Sequence, residues 1–285
     1  MSTYSPLCEI IKKNNLSNKI ITSDPMAWVN YPEYQFIYNK LWIAQSQFID
    51  CGPMNVYPEK YPVIFKPIIN LIGMSRGIKK INNDEEYDQY LKDGFFWEEF
   101  LDGDHYCIDL VLSKGNILFY SCLLSHPGEN GSFDYHESIP EFELPEHIEL
   151  WINNFLKDYT GCLNLEVING IIIEAHLRLN GDYHLYNEIF SNKISDVYEG
   201  IDVTFYDYKI EKLFLIPIFV YKDFSKEIDK NRLMKEFLDN KITNVMLDNI
   251  NSKYQSEYLS RFLIFSCDNL NKGFNIRNLL ILKYL

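Results

Sequence analysis

The sequence lacks most of the signatures that fix a function quickly. Its six cysteines (Cys8, Cys51, Cys107, Cys122, Cys162 and Cys267) are scattered, with no C-x-x-C pair. That argues against a disulfide framework or a cysteine-built zinc site. No run of about 18 apolar residues occurs, so no membrane-spanning helix is expected. Met1 to Lys19 has no apolar stretch of signal-peptide type. G-x-x-x-x-G-K-[ST], G-x-S-x-G and H-E-x-x-H are all missing, which removes three common catalytic scaffolds. No Lys/Arg cluster forms a basic face and the net charge is −13, so a nucleic-acid partner is not expected. The expectation is a soluble, cytoplasmic protein in a reducing compartment, acting on small molecules, with no membrane or nucleic-acid partner. Nothing in the sequence marks an oligomeric state.

What is present is a large apolar complement. Of 285 residues, 47% are hydrophobic, enough for one large α/β body or two to three lobes. Apolar spacing predicts helix over Tyr34 to Phe48, and Pro53, Pro58 and Pro62 then break the chain. Tyr61 to Phe65 is a short strand pattern ending at Lys66-Pro67, where the proline favours an extended Lys66. A second strand is predicted at Ile78 to Ile81, a helix at Asp84 to Leu91 capped by Asn83 or Asp84, and a strand at Phe95 to Leu101. Tyr106 to Leu112 and Asn116 to Leu123 form a hairpin pattern, and Pro145 to Leu156 an amphipathic helix. Gly161 to Ile168 and Ile171 to Leu177 flank Asn169-Gly170, a strong hairpin turn signal. The remainder reads strand, helix, strand, strand, helix.

Four features between Tyr61 and Asn180 carry chemistry. Lys66 precedes Gly73-Met74-Ser75-Arg76-Gly77, where glycines let backbone N–H groups approach phosphate oxygens and the lysine adds a point charge. Trp97-Glu98-Glu99-Phe100-Leu101-Asp102-Gly103-Asp104 combines an apolar strand end with acids and a tight turn, a pattern suited to an adenosine pocket or to a solvated strand end. The Asn169-Gly170 hairpin carries Asn164, Glu166, Glu174 and His176; a symmetric two-residue turn pairs Glu166 with Ile173 and sets the two glutamates on opposite faces, whereas a three-residue turn with a bulge pairs Glu166 with Glu174, and this bulged hairpin is favoured. Acids in so apolar a run suit a divalent ion or a salt bridge to Arg178. Arg178 itself could meet a transferring phosphoryl group. Ser125 to His136, with His126, Pro127, Gly128, Gly131, Asp134 and His136, reads either as a substrate-facing lid or as an ordinary surface loop.

In this order the features resemble the ATP-grasp superfamily, across about half the chain. Asn39-Lys40-Leu41, Phe65-Lys66-Pro67 with its glycine loop, Glu98 to Gly103, and Glu174-Ala175-His176-Leu177-Arg178 match the superfamily's pattern in sequence. The resemblance implies an α+β fold whose two subdomains clamp a nucleotide. It implies an N-terminal lobe over 1–60, an ATP-grasp core over 61–204 and a small C-terminal α+β lobe over 205–285. It also implies ATP and Mg²⁺ as cosubstrate and cofactor, with Mn²⁺ the other candidate ion. Lys40, Lys66, Ser75, Arg76 and Gly77 would bind phosphates, and Glu98, Glu99, Phe100, Leu101 and Asp104 would line the adenosine site. Glu166, Glu174 and His176 would hold the ion, and Arg178 and His176 would serve catalysis. Two departures stand out: His176 occupies the place of an asparagine, and His105 that of the acid expected near ribose, leaving Asp104 or Asp109 for that role. The activity implied is carboxylate–amine ligation through an acyl phosphate; a phosphotransferase or a silent nucleotide-binding relative are the alternatives.

Overall fold

The computed structural model describes residues 6–72, 77–128, 132–187, 192–205, 208–221, 228–248 and 259–285. It opens with helices α1 (Pro6–Lys13) and α2 (Asp24–Asn30), a 3-10 turn over Pro32–Tyr38, and α3 (Lys40–Ser46). The helix expected from Tyr34 to Phe48 is thus split, because Asn39 is extended and its side-chain oxygen accepts the Trp42 N–H, starting α3 afresh.

A four-stranded sheet follows, built from β1 (Cys51–Pro53), β2 (Val63–Pro67), β3 (Lys79–Ile81) and β4 (Phe95–Glu99), in the order β1-β4-β2-β3. Helix α4 (Asp84–Gln89) lies between β3 and β4. Asn83 caps it by accepting the Glu86 N–H at 2.9 Å, as its acidic first turn suggested. Tyr87 of α4 packs with Val63, Phe65, Ile81 and Trp97 on one face of this sheet. On the opposite face Phe96 meets Ala44 and Ile49, with Leu41, Ile68 and Ile171 against them.

Among the described residues the second sheet has eight strands: β5 (His105–Ser113), β6 (Asn116–Pro127), β7 (Phe133–Ser138), β8 (Gly161–Ile168), β9 (Ile171–His176), β10 (Phe214–Tyr221), β11 (Val245–Leu247) and β12 (Leu259–Cys267). Their order is β11-β12-β10-β7-β6-β5-β8-β9, with every neighbouring pair antiparallel. Helix α5 (Glu146–Phe155) buries Ile148, Trp151 and Ile152 in the core of this sheet, and α6 (Asn192–Tyr198) adds Ile194 and Val197. Strand β9 is an edge, and Gln47 closes part of it by bonding both the N–H and the C=O of Ile172.

Helices α7 (Lys230–Asp239) and α8 (Leu270–Tyr284) pack on β10 and β12 around Ile216, Leu233, Phe237, Leu263 and Phe265, a cluster apart from the main core. Yet β10 pairs with β7, so the C-terminal strands continue the large sheet. At the other end Leu16, Ile20, Ile21, Ala27 and Ile37 belong to the main core, so the N-terminal helices are packed onto it. Among the described residues no helix is long and apolar enough to cross a membrane.

Candidate active site

The cleft between the two sheets collects most of the residues singled out above. Lys66 lies on β2 and Glu98 on β4, facing the same side as Phe96. Lys66 Nζ is 2.5 Å from Glu98 Oε1, and both side chains are buried. Burial pulls the Lys66 ammonium down and pushes the Glu98 carboxyl up, while each partner's charge opposes that shift. Lys66 also donates to the Ile173 carbonyl of β9 at 3.3 Å, which ties the small sheet to the large one.

The hairpin β8–β9 turns at Asn169 (φ 49°) and Gly170 (φ 81°), the left-handed pair that a two-residue turn needs. The ladder then pairs Val167 with Ile172 and Glu166 with Glu174, leaving Ile173 as the extra residue of a bulge. The turn has two residues rather than the three expected, but the expected pairing of Glu166 with Glu174 is reached through a bulge at Ile173, which sets Glu166, Glu174 and His176 on one face. The alternative partner expected for these acids, Arg178, is engaged elsewhere.

Five further side chains organise that face. Lys40 Nζ, at the start of α3, lies 2.7 Å from Glu174 Oε2. His176 Nδ1 lies 3.1 Å from Asp24 Oδ1, and Arg178 Nη2 donates to Asp24 Oδ2 at 2.8 Å. Tyr38 accepts the Leu177 N–H at 3.2 Å and donates to Asp24 Oδ1 at 3.5 Å. His105 Nε2 lies 3.5 Å from Glu166 Oε2. Burial opposes the Asp24 charge, but Arg178 and His176 outweigh it and hold the carboxyl well below its ordinary range. Burial likewise opposes the Arg178 charge and Asp24 overcomes it, raising the guanidinium further. Partial loss of hydration opposes ionisation of Glu166, and the His105 hydrogen bond and charge more than offset it, holding the carboxyl below its ordinary range.

Glu166, Glu174 and His176 each offer one donor atom, and the three atoms lie within 4.8 Å of one another. Two carboxylate oxygens and an imidazole nitrogen fit a divalent cation. Among the described residues of the cleft, Lys40, Lys66 and Arg178 stand with Asp24, Glu98, Glu166 and Glu174, and His105 and His176 lie beside them.

The linker 100–104 joins β4 of the small sheet to β5 of the large one. Glu99 is exposed, its N–H bound to the Asp50 carbonyl at 2.8 Å, and Phe100 is covered by Lys80 Nζ at 3.7 Å from its ring centre. Leu101 is half-buried and Asp104 exposed. Gly77 (φ 75°) closes the loop between β2 and β3, which hangs from the strand that carries Lys66. Ser75 and Arg76, with Gly73 and Met74, lie outside the described residues.

Several expectations need correction. The Glu98 side chain is buried and paired with Lys66, so it is closed to the adenosine contact expected of it. Asp109 is fully buried and accepts from Asn164, the Asn180 N–H and Tyr186, so it is closed to a ribose. The Ser125–His136 segment is hairpin β6–β7 rather than a lid: Ser125 Oγ lies 2.8 Å from His136 Nδ1, and His126 stacks on Tyr135. Residues 129–131, including Gly131, lie outside the described part. Sequence reasoning missed Asp24 and the pairing of His105 with Glu166. Ser23-Asp24-Pro25 does carry a helix-start signal, with Ser23 as cap, but that signal says nothing of contacts 152 residues away.

No protein-family model matches the sequence, and no curated protein does. Solved structures do. An L-amino acid ligase from Bacillus licheniformis superposes with TM-score 0.59 at 14% identity, covering 99% of this chain and 78% of that one. A carboxyaminoimidazole ribonucleotide synthase from Aspergillus clavatus, complexed with ATP, gives 0.58 at 12% identity, over 89% and 74%. A biotin carboxylase–β,γ-ATP complex from Campylobacter jejuni gives 0.52 at 14% identity, over 99% and 72%. The chain has the ATP-grasp fold. The two antiparallel sheets are the two jaws of that fold, and the cleft described above lies between them. At these identities the likeness establishes the ATP-grasp architecture and leaves the chemistry to the residues themselves.

Proposed function

We propose that the chain is an ATP-dependent ligase that activates a carboxylate and joins it to an amine. One observation carries this reading. Two buried lysines from different elements, Lys40 and Lys66, converge on the cleft wall beside Glu166, Glu174 and His176. A buried lysine paired to a single carboxylate is a ready receptor for a polyanion, because phosphate oxygens can replace the carboxylate without leaving a charge exposed to an apolar wall.

In this reading Lys66 and Lys40 neutralise the ATP phosphates, and the Leu101 backbone meets the adenine edge, since the Glu99 and Phe100 N–H groups are taken by the Asp50 and Pro62 carbonyls. Gly77 follows the glycine loop expected to meet the phosphates, and Asp104 is the exposed acid that would take a ribose hydroxyl. Glu166, Glu174 and His176 would hold a divalent ion, which would supply charge neutralisation at the phosphoryl groups. Arg178, held by Asp24 at the end of β9, stabilises the charge that develops as the γ-phosphoryl group transfers. A substrate carboxylate oxygen attacks the γ-phosphorus and ADP leaves. An amine nitrogen then attacks the acyl carbon, inorganic phosphate departs, and the amine gives up a proton. Closure of the two jaws excludes water that would hydrolyse the acyl phosphate.

The test is a hydroxylamine trap. The protein is incubated with ATP, divalent ion and pools of amino and other carboxylic acids, and hydroxamate and ADP are measured together. Hydroxamate formed one-for-one with ADP supports the ligase. Phosphate found on an acceptor hydroxyl instead would replace it with a phosphotransferase. Nucleotide binding without ADP release from any pool would leave a binding protein.

A further inference from the structure

We infer that Asp24 and His176 together tune the three-donor cluster to a borderline transition ion of the Co²⁺ or Zn²⁺ class, in preference to Mg²⁺. The role of that ion rests on the ligase reading; its binding does not.

The cluster is built so that each member presents one atom to a common point and has its other atom pinned by a different side chain. Glu174 Oε2 is held by Lys40 at 2.7 Å, leaving Oε1 free. Glu166 Oε2 faces His105 at 3.5 Å, leaving Oε1 free. His176 Nδ1 is held by Asp24 at 3.1 Å, leaving Nε2, which lies 3.4 Å from Glu174 Oε1 and 4.0 Å from Glu166 Oε1. Metal–ligand bonds of about 2.1 Å set neighbouring donors about 3.0–3.4 Å apart. The Glu174–His176 edge already has that span. Glu166, 34% exposed, has room to close the remainder.

The Asp24–His176 contact decides the class of ion. A carboxylate only accepts, so Nδ1 carries the proton and, in the neutral ring, the Nε2 lone pair points at the two glutamates. Asp24 cannot turn away, because Arg178 and Tyr38 also donate to it. A carboxylate on the far nitrogen orients an imidazole ligand and raises its basicity. Mg²⁺ prefers an all-oxygen octahedron, whereas an imidazole donor favours later first-row ions. Asp24 is thus a positioning residue acting through His176.

The experiment uses the nucleotide-free full chain, with Co²⁺ and Mg²⁺ as probes. Calorimetry and visible Co²⁺ absorption are followed for the parent, Asp24→Asn and His176→Asn, with circular dichroism and thermal melts as fold controls. The parent is expected to bind Co²⁺ at one site that a hundredfold excess of Mg²⁺ leaves occupied. His176→Asn, which restores an all-oxygen donor set, is expected to reduce that preference by about 10–100-fold, and Asp24→Asn to weaken Co²⁺ by a similar factor. A readout on the parent alone guards against misfolded variants: Zn²⁺ should shift the Nε2 resonance of one histidine whose Nδ1 is protonated. Equal affinity for Co²⁺ and Mg²⁺, a preference unchanged in His176→Asn, or no histidine shift would overturn the inference. Separate calorimetry with a non-hydrolysable ATP analogue tells these failures apart: analogue binding with no ion preference sinks the inference and spares the ligase reading.

Discussion

Lys66 Nζ and Glu98 Oε1 meet at 2.5 Å across adjacent strands, both side chains almost fully buried, at the point where the small sheet leans on β9. Such a pair contributes little net stability against an apolar substitute, but breaking it leaves a bare buried charge. Lys66→Met is therefore expected to destabilise by about 3–5 kcal/mol, and Lys66→Met combined with Glu98→Leu to regain most of that loss. Urea unfolding of the three proteins checks this. Nucleotide binding should stay lost in the double variant, which separates the phosphate-binding role from stability.

Arg178 is expected to separate binding from turnover. Its guanidinium is held at 2.8 Å from Asp24, poised at the end of β9. Arg178→Lys keeps a charge but loses the planar fork, so ATP-analogue affinity should change little while hydroxamate formation falls by about 10²–10³-fold. Parallel loss of both would place Arg178 in ground-state binding instead.

Asp109 sets a pH signature. Burial pushes its carboxyl from 3.8 up to about 6, against the donors Tyr186, Asn180 and Asn164. The folded state thus holds a proton that the unfolded chain releases at lower pH. The resulting stabilisation is complete below about pH 3.8 and disappears as pH rises through 6. Relative to Asp109→Asn, the parent should lose up to about 3 kcal/mol of stability between pH 4 and pH 7. Chemical unfolding at a series of pH values measures the difference; a flat difference would contradict it.

Gly273 is where α8 meets β10. A Cβ there would lie 2.0 Å from Ile216 Cδ1 and 2.7 Å from Cys267 Sγ. Gly273→Ala should cost about 1–3 kcal/mol through overpacking. Ile216→Val removes the clashing methyl, so the double variant should recover part of that loss, a coupling a double-mutant cycle would show.

Much of this organisation was legible in the sequence. Asn169-Gly170 announced its hairpin, and two acids in an apolar run favoured a bulge that brings them to one face, as Glu166 opposite Glu174 does, although with a two-residue turn in place of the expected three. Lys66-Pro67 and Asn83 likewise marked their local structure through backbone rules. The residues that escaped act at long range. Asp24 reaches His176 across 152 positions, and His105 meets Glu166 only because β5 and β8 are neighbours. Local propensity carries no information on such pairings. The same reason hid the continuity of the large sheet into residues 214–267, which depends on β10 choosing β7 as its partner.

The most direct test of the central claim is calorimetric titration of the full chain with a non-hydrolysable ATP analogue and a divalent ion, alongside Lys40→Met and Lys66→Met. The account predicts one nucleotide site in the parent, with affinity reduced at least tenfold in each variant (about 1.4 kcal/mol or more) while a melt shows each still folded. A folded parent that takes up no nucleotide, or variants that bind as tightly as the parent, would contradict it.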